Sequence, residues 1–403
     1  MRLQAPTPAR PGARVVTVAP ETAAIRAGLQ PGDLIVRING VSLTSAVDFS
    51  RSINSLRGNI PARLVVLRDG RRLDLTYTPN PRSLEQHLNT AIEYGRLTTP
   101  LGHTLRTMVT KPKAGTGKLP AILLIQWLSC TSVEVERVED GNDLLIQQLA
   151  EASSHLFMRV EKPGVGDSEG PACADCDLQT ELRGYQTALA ELKKRPDVDT
   201  TRIYLLGMSL GASLAPIVGA GQSIKGYIVT GGCTTTWFEH MLEIERRRLS
   251  LSGEPWGQIN AKMAGYATLY QRYYVEKMTP QTILHHYPHL TPLWYDAPAH
   301  QYGRPASFFH QVQDLNFEAG WSAVHVPTLV IYGEYDWIMS LNDHQKIVQL
   351  VNQHQAGLAT LIIVSKANHN LAQFGTPQQA FRNEGGALPN NLGSLVSDWL
   401  RQH

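Results

Sequence analysis

One stretch constrains this chain more than any other: Arg202-Ile203-Tyr204-Leu205-Leu206-Gly207-Met208-Ser209-Leu210-Gly211-Ala212. Its apolar, β-favouring first half runs into G-x-S-x-G, and small residues suited to a helix follow from Ala212 to Ala220. The order is strand, sharp turn, helix. A serine at the tip of such a turn carries its hydroxyl clear of the backbone. The flanking glycines are expected because so tight a turn leaves no room for Cβ atoms on either side.

From about residue 96 the pattern alternates strand and helix, which predicts an α/β fold around a mostly parallel sheet with right-handed crossovers. An entry hairpin arm is predicted from Leu101 to Thr110. Strands are predicted from Ala121 to Trp127, His155 to Glu161, Arg202 to Leu206, Ile224 to Thr230, Thr328 to Gly333 and Ala359 to Val364. Helices are predicted from Gly141 to Ala152, Leu178 to Lys194, Leu210 to Ala220, Asn342 to Gln353 and Leu392 to Arg401. In such sheets the chemistry collects beyond the C-terminal strand ends, where Ser209 falls. A nucleophilic serine needs a base, and the base an orienting acid. Asp336 follows the strand ending at Gly333, and His369 follows the strand ending at Val364. The chain order Ser209, Asp336, His369 makes these the candidate catalytic residues, with Glu334 as the rival acid.

The region from about Gly95 to the C-terminus resembles the α/β-hydrolase family, most closely its bacterial carboxylesterase branch. The resemblance extends to Arg159-Val160-Glu161-Lys162-Pro163-Gly164-Val165-Gly166-Asp167-Ser168-Glu169-Gly170, a Gly-rich segment in which Glu161 and Asp167 read as structural. It implies a serine hydrolase cleaving carboxylic esters through an acyl-enzyme, with no metal or organic cofactor. One oxyanion donor is expected at the backbone N–H of Leu210, and a second at Leu128 or Trp127. Many relatives have His-Gly at that second place, where this chain has Gln126-Trp127-Leu128-Ser129-Cys130. An aromatic-rich insertion at about 233–322 is expected to form a helical cap over the serine, with Trp237, Trp294 and Tyr302 as substrate-binding residues. The alternative is a serine peptidase of the prolyl-oligopeptidase type.

Residues 1–80 read as a separate module of short strands. Gly28 suits the end of a short helix at Thr22 to Ala27, Pro31-Gly32 makes a turn, and Asn39-Gly40 and Asp69-Gly70 are hairpin turns. A second helix is predicted from Ala46 to Leu56. The run Ala27-Gly28-Leu29-Gln30-Pro31-Gly32-Asp33-Leu34-Ile35-Val36-Arg37-Ile38-Asn39-Gly40 resembles the PDZ domains of bacterial proteases. That resemblance implies an extended peptide or protein C-terminus as partner, and in the peptidase reading the domain would present peptide ends. The loop that cradles the carboxylate would precede Met1. Either the domain is a spacer, or the sequence is truncated. Residues 81–95 are expected to be a polar linker carrying a helix from Leu84 to Tyr94, with the hydrolase at 96–403.

Composition narrows the partners. Lys and Arg total 37 against 35 Asp and Glu, without a basic stripe interleaved with aromatics, which argues against nucleic acid. Arg246-Arg247-Arg248 reads as one solvated helix face. The longest apolar runs are strand-sized, too short for a membrane span. No signal peptide is visible at Met1-Arg2-Leu3-Gln4-Ala5-Pro6, so the chain reads as cytoplasmic as it stands, and periplasmic or secreted if a leader is missing. Two nucleotide-binding look-alikes fail: Leu119 and Pro112 break the phosphate-loop pattern around Gly117-Lys118, and Gly164, Gly166 and Gly170 miss the dinucleotide spacing. Cys173 and Cys176 form one C-x-x-C, read as a redox pair, half a zinc site or reduced thiols. Alternatively Cys130 pairs with Cys173 or Cys176 in a disulfide that pins the site's rim, which would imply an oxidising compartment. His285, His286 and His289 read as surface residues.

Overall fold

The structure, a computed structural model, describes every residue except 8–9, 82–83, 114–116, 136, 153, 297–299 and 390. The first part of the Gly-Lys look-alike, 114–116, lies outside the described residues. The N-terminal module is a small sheet of β1 (Arg2–Gln4), β2 (Ala13–Thr17), β3 (Leu34–Ile38), β4 (Val41–Ser42), β5 (Ala62–Arg68) and β6 (Arg71–Tyr77), with helices α1 (Ala23–Arg26) and α2 (Ala46–Asn54). The strand order is β1-β2-β3-β5-β6, and β4 pairs with β3. Its hairpins turn where both central residues take positive φ: Asn39 (48°) with Gly40 (86°), and Asp69 (49°) with Gly70 (75°). Ser45 caps α2 by accepting the Asp48 N–H at 3.1 Å. Val15, Leu29, Ile35, Ile38, Leu64 and Val66 close the core.

The segment expected to be a linker helix, Leu84 to Tyr94, holds none among its described residues. Residues 84–89 are irregular, and β7 (Thr90–Thr98) then pairs antiparallel with β8 (Thr104–Pro112) along its whole length, Thr90 opposite Pro112 and Thr98 opposite Thr104. The alternating Thr90, Ile92 and Tyr94 suit a strand, and a nine-residue ladder outweighs the weak helical preference of the residues between. Glu85 is already tied to the hydrolase sheet, accepting both terminal nitrogens of Arg159 at 2.8 and 2.7 Å.

β7 and β8 open an eight-stranded sheet completed by β9 (Leu119–Ile125), β10 (Leu156–Val160), β11 (Val198–Met208), β12 (Gly226–Thr230) and, after the two-stranded β13 (His300–Gln301) and β14 (Arg304–Pro305), by β15 (Thr328–Gly333) and β16 (Ala359–Val364). The order is β16-β15-β12-β11-β9-β10-β8-β7. Six strands run parallel, and β7 and β8 are antiparallel. Alternate residues of β9 divide between two cores. Ala121, Leu123 and Ile125 face α4 (Leu178–Lys194) and α5 (Leu210–Val218), while Ile122 and Leu124 face α3 (Gly141–Ala152). Burial on both faces is why these strands read as unbroken apolar runs.

Between β12 and β15 the cap comprises α6 (Trp237–Leu251), α7 (Trp256–Tyr270), a π-turn at Gln271–Val275, α8 (Pro280–His286), the β13–β14 hairpin, α9 (Ala306–Gln313) and α10 (Phe317–Ser322). Tyr270, Tyr273, Tyr274, Phe308 and Phe309 are wholly buried and form its core. α11 (Leu341–Asn352), α12 (Pro377–Arg382) and α13 (Leu392–Gln402) complete the chain, α13 sharing the core beside α3. No described helix is long and apolar enough to cross a membrane.

Candidate active site

Ser209 stands between β11 and α5 at φ 55° and ψ −126°, a conformation that non-glycine residues rarely hold. The two flanking glycines are not at positive φ; contact demands them. A Cβ on Gly207 would lie 2.6 Å from the Gly211 carbonyl oxygen, and one on Gly211 would lie 2.1 Å from that of Ile125. α5 thus begins pressed against the end of β9. The Ser209 N–H donates to the Thr230 carbonyl at 2.8 Å, anchoring the turn to β12.

His369, on the loop after β16, brings Nε2 to 2.9 Å from Ser209 Oγ and Nδ1 to 2.8 Å from Asp336 Oδ2. A carboxylate only accepts, so Nδ1 carries the proton and Nε2 is free to accept from the serine hydroxyl. Asp336 is fixed in turn by the N–H groups of Ile338 and Met339, which donate to Oδ1 at 2.8 and 2.9 Å. Glu334 is elsewhere engaged: its Oε2 accepts from the Ser365 hydroxyl and the Lys366 N–H, at 2.8 and 2.7 Å. Burial disfavours the His369 imidazolium, yet the Asp336 charge and hydrogen bond outweigh it and raise its pKa above the ordinary 6.5. Burial likewise opposes the Asp336 carboxylate, but the attraction of His369 prevails and holds its pKa low. A protonated Nε2 cannot accept the serine proton, so Ser209 should lose reactivity as pH falls through that raised value. The rate of fluorophosphonate capture at Ser209 is expected to show an acid limb above pH 6.5. A limb at or below 6.5 contradicts the pairing.

Ser209 and His369 open into a cavity of about 590 Å³. Trp237, Met241, Ile244 and Trp337 make an apolar side, and Ser132, Asp140, Asn142 and Asp143 line a polar one. Of the three residues expected to bind substrate, Trp237 and Tyr302 line this cavity and Trp294 does not. Trp294 packs edge-on against Tyr273, at 5.6 Å between centroids, because that register of the cap turns it towards the buried tyrosines. Leu210, Trp127 and Leu128 all border the cavity, and the N–H groups of Trp127 and Leu128 have no acceptor among the described residues. Sequence reasoning missed His240. It sits one helical turn after Trp237, with ring centroids 4.8 Å apart, and burial pushes its pKa down to about 4, so it is neutral at pH 7. The i, i+3 spacing of an aromatic and a histidine was the available signal.

The rim is covalently fastened. Cys130 and Cys173 form a disulfide, while Cys176 stays a buried thiol whose pKa burial pushes up to about 12. The C-x-x-C is therefore neither a redox pair nor a metal half-site. Helix α2 of the N-terminal module leans on this rim: Arg51 Nε lies 2.9 Å from Asp175 Oδ2, and Asn54 Nδ2 3.4 Å from the Cys130 carbonyl oxygen. The arginine run departs from a single solvated face, since consecutive helical residues lie about 100° apart. Arg247 donates to the Trp337 and Ile338 carbonyls, both at 2.8 Å, and Arg248 bonds Glu245 and Tyr266. In the Gly-rich segment Glu161 is buried and accepts from the Ser132 hydroxyl, whereas Asp167 is partly exposed, 4.0 Å from Arg106. His285, His286 and His289 are exposed, and no metal-holding cluster occurs among the described residues.

A mostly parallel eight-stranded sheet, a serine turn and a helical cap define an α/β-hydrolase fold. A family model described as "Alpha/beta hydrolase family" matches residues 142–384, and one described as "PDZ domain" matches residues 3–78. The chain belongs to the alpha/beta hydrolase family and carries an N-terminal PDZ domain. It is 39% identical over 67 residues to a probable periplasmic serine endoprotease, DegP-like, of Pseudomonas savastanoi pv. phaseolicola, a match covering 17% of this chain and 14% of that protein. Similar solved structures include the hypothetical protein PA2218 of Pseudomonas aeruginosa (TM-score 0.47, 14% identity, 78% of this chain and 94% of that one). Est1E of Butyrivibrio proteoclasticus aligns with a TM-score of 0.46 and 14% identity over 77% of this chain and 96% of its own.

Proposed function

We propose that this protein is a carboxylic-ester hydrolase that works through an acyl-enzyme on Ser209. The observation that carries the reading is the hydrogen-bonded line from Ser209 Oγ through His369 to Asp336, open to a cavity that can hold an acyl group. The Ser209 oxygen attacks the ester carbonyl while its proton passes to His369 Nε2. The tetrahedral oxyanion is met by the N–H of Leu210 and one from the Trp127–Leu128 loop. Collapse breaks the C–O bond, and His369 returns the proton to the departing alcohol. Water then repeats the sequence on the acyl-serine, releasing the acid and the free enzyme. Asp336 holds the imidazole tautomer and balances the imidazolium charge. No step needs a metal or organic cofactor.

The apolar side formed by Trp237, Met241 and Ile244 suits an acyl chain, and the polar side a hydrated alcohol portion. The PDZ domain suits a peptide or protein C-terminus, and the Cys130–Cys173 bond suits an oxidising compartment. Purified protein is offered p-nitrophenyl butyrate, a peptide p-nitroanilide and a fluorophosphonate. Ester turnover with labelling at Ser209 is the expected result. Amide cleavage without ester cleavage would instead identify a peptidase, and failure of both substrates and of labelling would overturn the enzyme reading.

A further inference from the structure

We infer that Lys162 is a positioning residue for the oxyanion loop, holding its carbonyls so that the Leu128 N–H faces the reacting carbonyl. This rests on the acyl-transfer reading above. Lys162 follows β10 and is wholly buried at its side chain. Its Nζ donates to three successive carbonyl oxygens: that of Trp127, that of Leu128 at 3.2 Å and that of Ser129 at 3.0 Å. Within a peptide unit the C=O and the next N–H point in opposite directions. Drawing the Trp127 carbonyl towards Lys162 therefore turns the Leu128 N–H away from it. Leu128 borders the cavity beside Ser209 and Leu210, and its N–H has no acceptor among the described residues. Trp127 shares both features, but its N–H belongs to a peptide unit whose carbonyl Lys162 does not hold, and this difference favours Leu128 as the second donor.

A buried ammonium is costly unless it is paired. Glu181, on α4, faces Lys162 Nζ at 3.1 Å and is held from the cap by Arg304, whose guanidinium reaches its Oε2 at 2.5 Å. Tyr185 joins the same network: its hydroxyl donates to Glu181 at 3.1 Å and accepts the Gln126 N–H at 3.3 Å. The disulfide fixes Cys130. Every residue from Gln126 to Cys130 is thus gripped, in a loop that carries no glycine. Filling the space would need only an apolar side chain of similar volume. Three successive carbonyls and a carboxylate converging on one nitrogen suit a compact positive donor, which an ammonium is and an apolar side chain is not.

The test compares Lys162→Met and Lys162→Arg with wild type. The measurements are kcat and KM for p-nitrophenyl butyrate, the Ki of a trifluoromethyl ketone that adds the Ser209 oxygen to form an oxyanion, and the melting transition. Lys162→Met is expected to lower kcat about 100-fold with KM within about threefold. The Ki should weaken by the same factor as kcat/KM. Lys162→Arg keeps a charge opposite Glu181 and should recover part of the loss, since its planar fork cannot serve three carbonyls in a row. If Lys162→Met does not fold, Lys162→Arg alone decides, with the same parallel between kcat/KM and Ki. A folded variant with wild-type kcat and Ki, or a loss confined to KM, overturns the inference. So does failure of both variants to fold, which would make Lys162 a residue of the fold alone. An active, fluorophosphonate-labelled wild type with unaffected Lys162 variants defeats only this inference. A wild type that neither turns over nor labels defeats the acyl-transfer reading as well.

Discussion

Ser209→Gly is expected to abolish ester turnover while stabilising the fold relative to Ser209→Ala. On the proposed mechanism either substitution removes the attacking oxygen, and loss of such a nucleophile costs on the order of 10⁴-fold or more in kcat. The two should part in stability. At φ 55° and ψ −126° a Cβ-bearing residue is strained by about 1–3 kcal/mol. Glycine relieves that strain, less about 0.5–1 kcal/mol for the freedom it adds to the unfolded chain. The expected balance is about 1 kcal/mol in favour of Ser209→Gly over Ser209→Ala, read from denaturant midpoints at a common slope. A glycine variant less stable than the alanine one would show that the turn stores no strain at this residue.

Gly211→Ala is expected to be the most damaging single methyl in the hydrolase domain. The added Cβ would stand 2.1 Å from the Ile125 carbonyl oxygen and 2.4 Å from that of Gln126. Both are backbone atoms, so relief requires α5 and β9 to separate. Overpacking of this kind costs about 3 kcal/mol or more. Displacing the end of β9 also moves the loop from Trp127 onward, so kcat should fall about 100-fold, in the range for one lost oxyanion donor. Gly257→Ala is the control: nothing lies within 4 Å of its Cβ, and it should be neutral or slightly stabilising. Calorimetry and ester kinetics on the two variants decide the point. A Gly211→Ala protein with wild-type melting and kcat would mean that α5 does not press on β9 as described.

Much of the architecture is legible because its signals are local. The apolar runs at Thr328–Gly333 and Ala359–Val364, the helices at Gly141–Ala152 and Leu178–Lys194 and the Asn39-Gly40 hairpin all stand where residue pattern places them. Each element's period, cap or turn chemistry lies within its own few residues. The first half of β7 reads two ways locally, Thr90, Ile92 and Tyr94 alternating as in a strand among residues of weak helical preference, and the ladder with β8 decides it. The arginines at 246–248 look solvated for a related reason, since the carbonyls that Arg247 reaches belong to residues about ninety positions away.

By itself the sequence determined the strand–turn–helix around Ser209, the alternating sheet and the PDZ turns, since steric and periodic preferences act over three or four residues. Only the tertiary structure decided which groups meet. It brought one of fourteen histidines to a serine 160 positions away, Cys130 rather than Cys176 to Cys173, and Lys162 to the carbonyls of 127–129. Those pairings depend on burial and on distances set by the whole packed core, and no run of neighbouring residues encodes them.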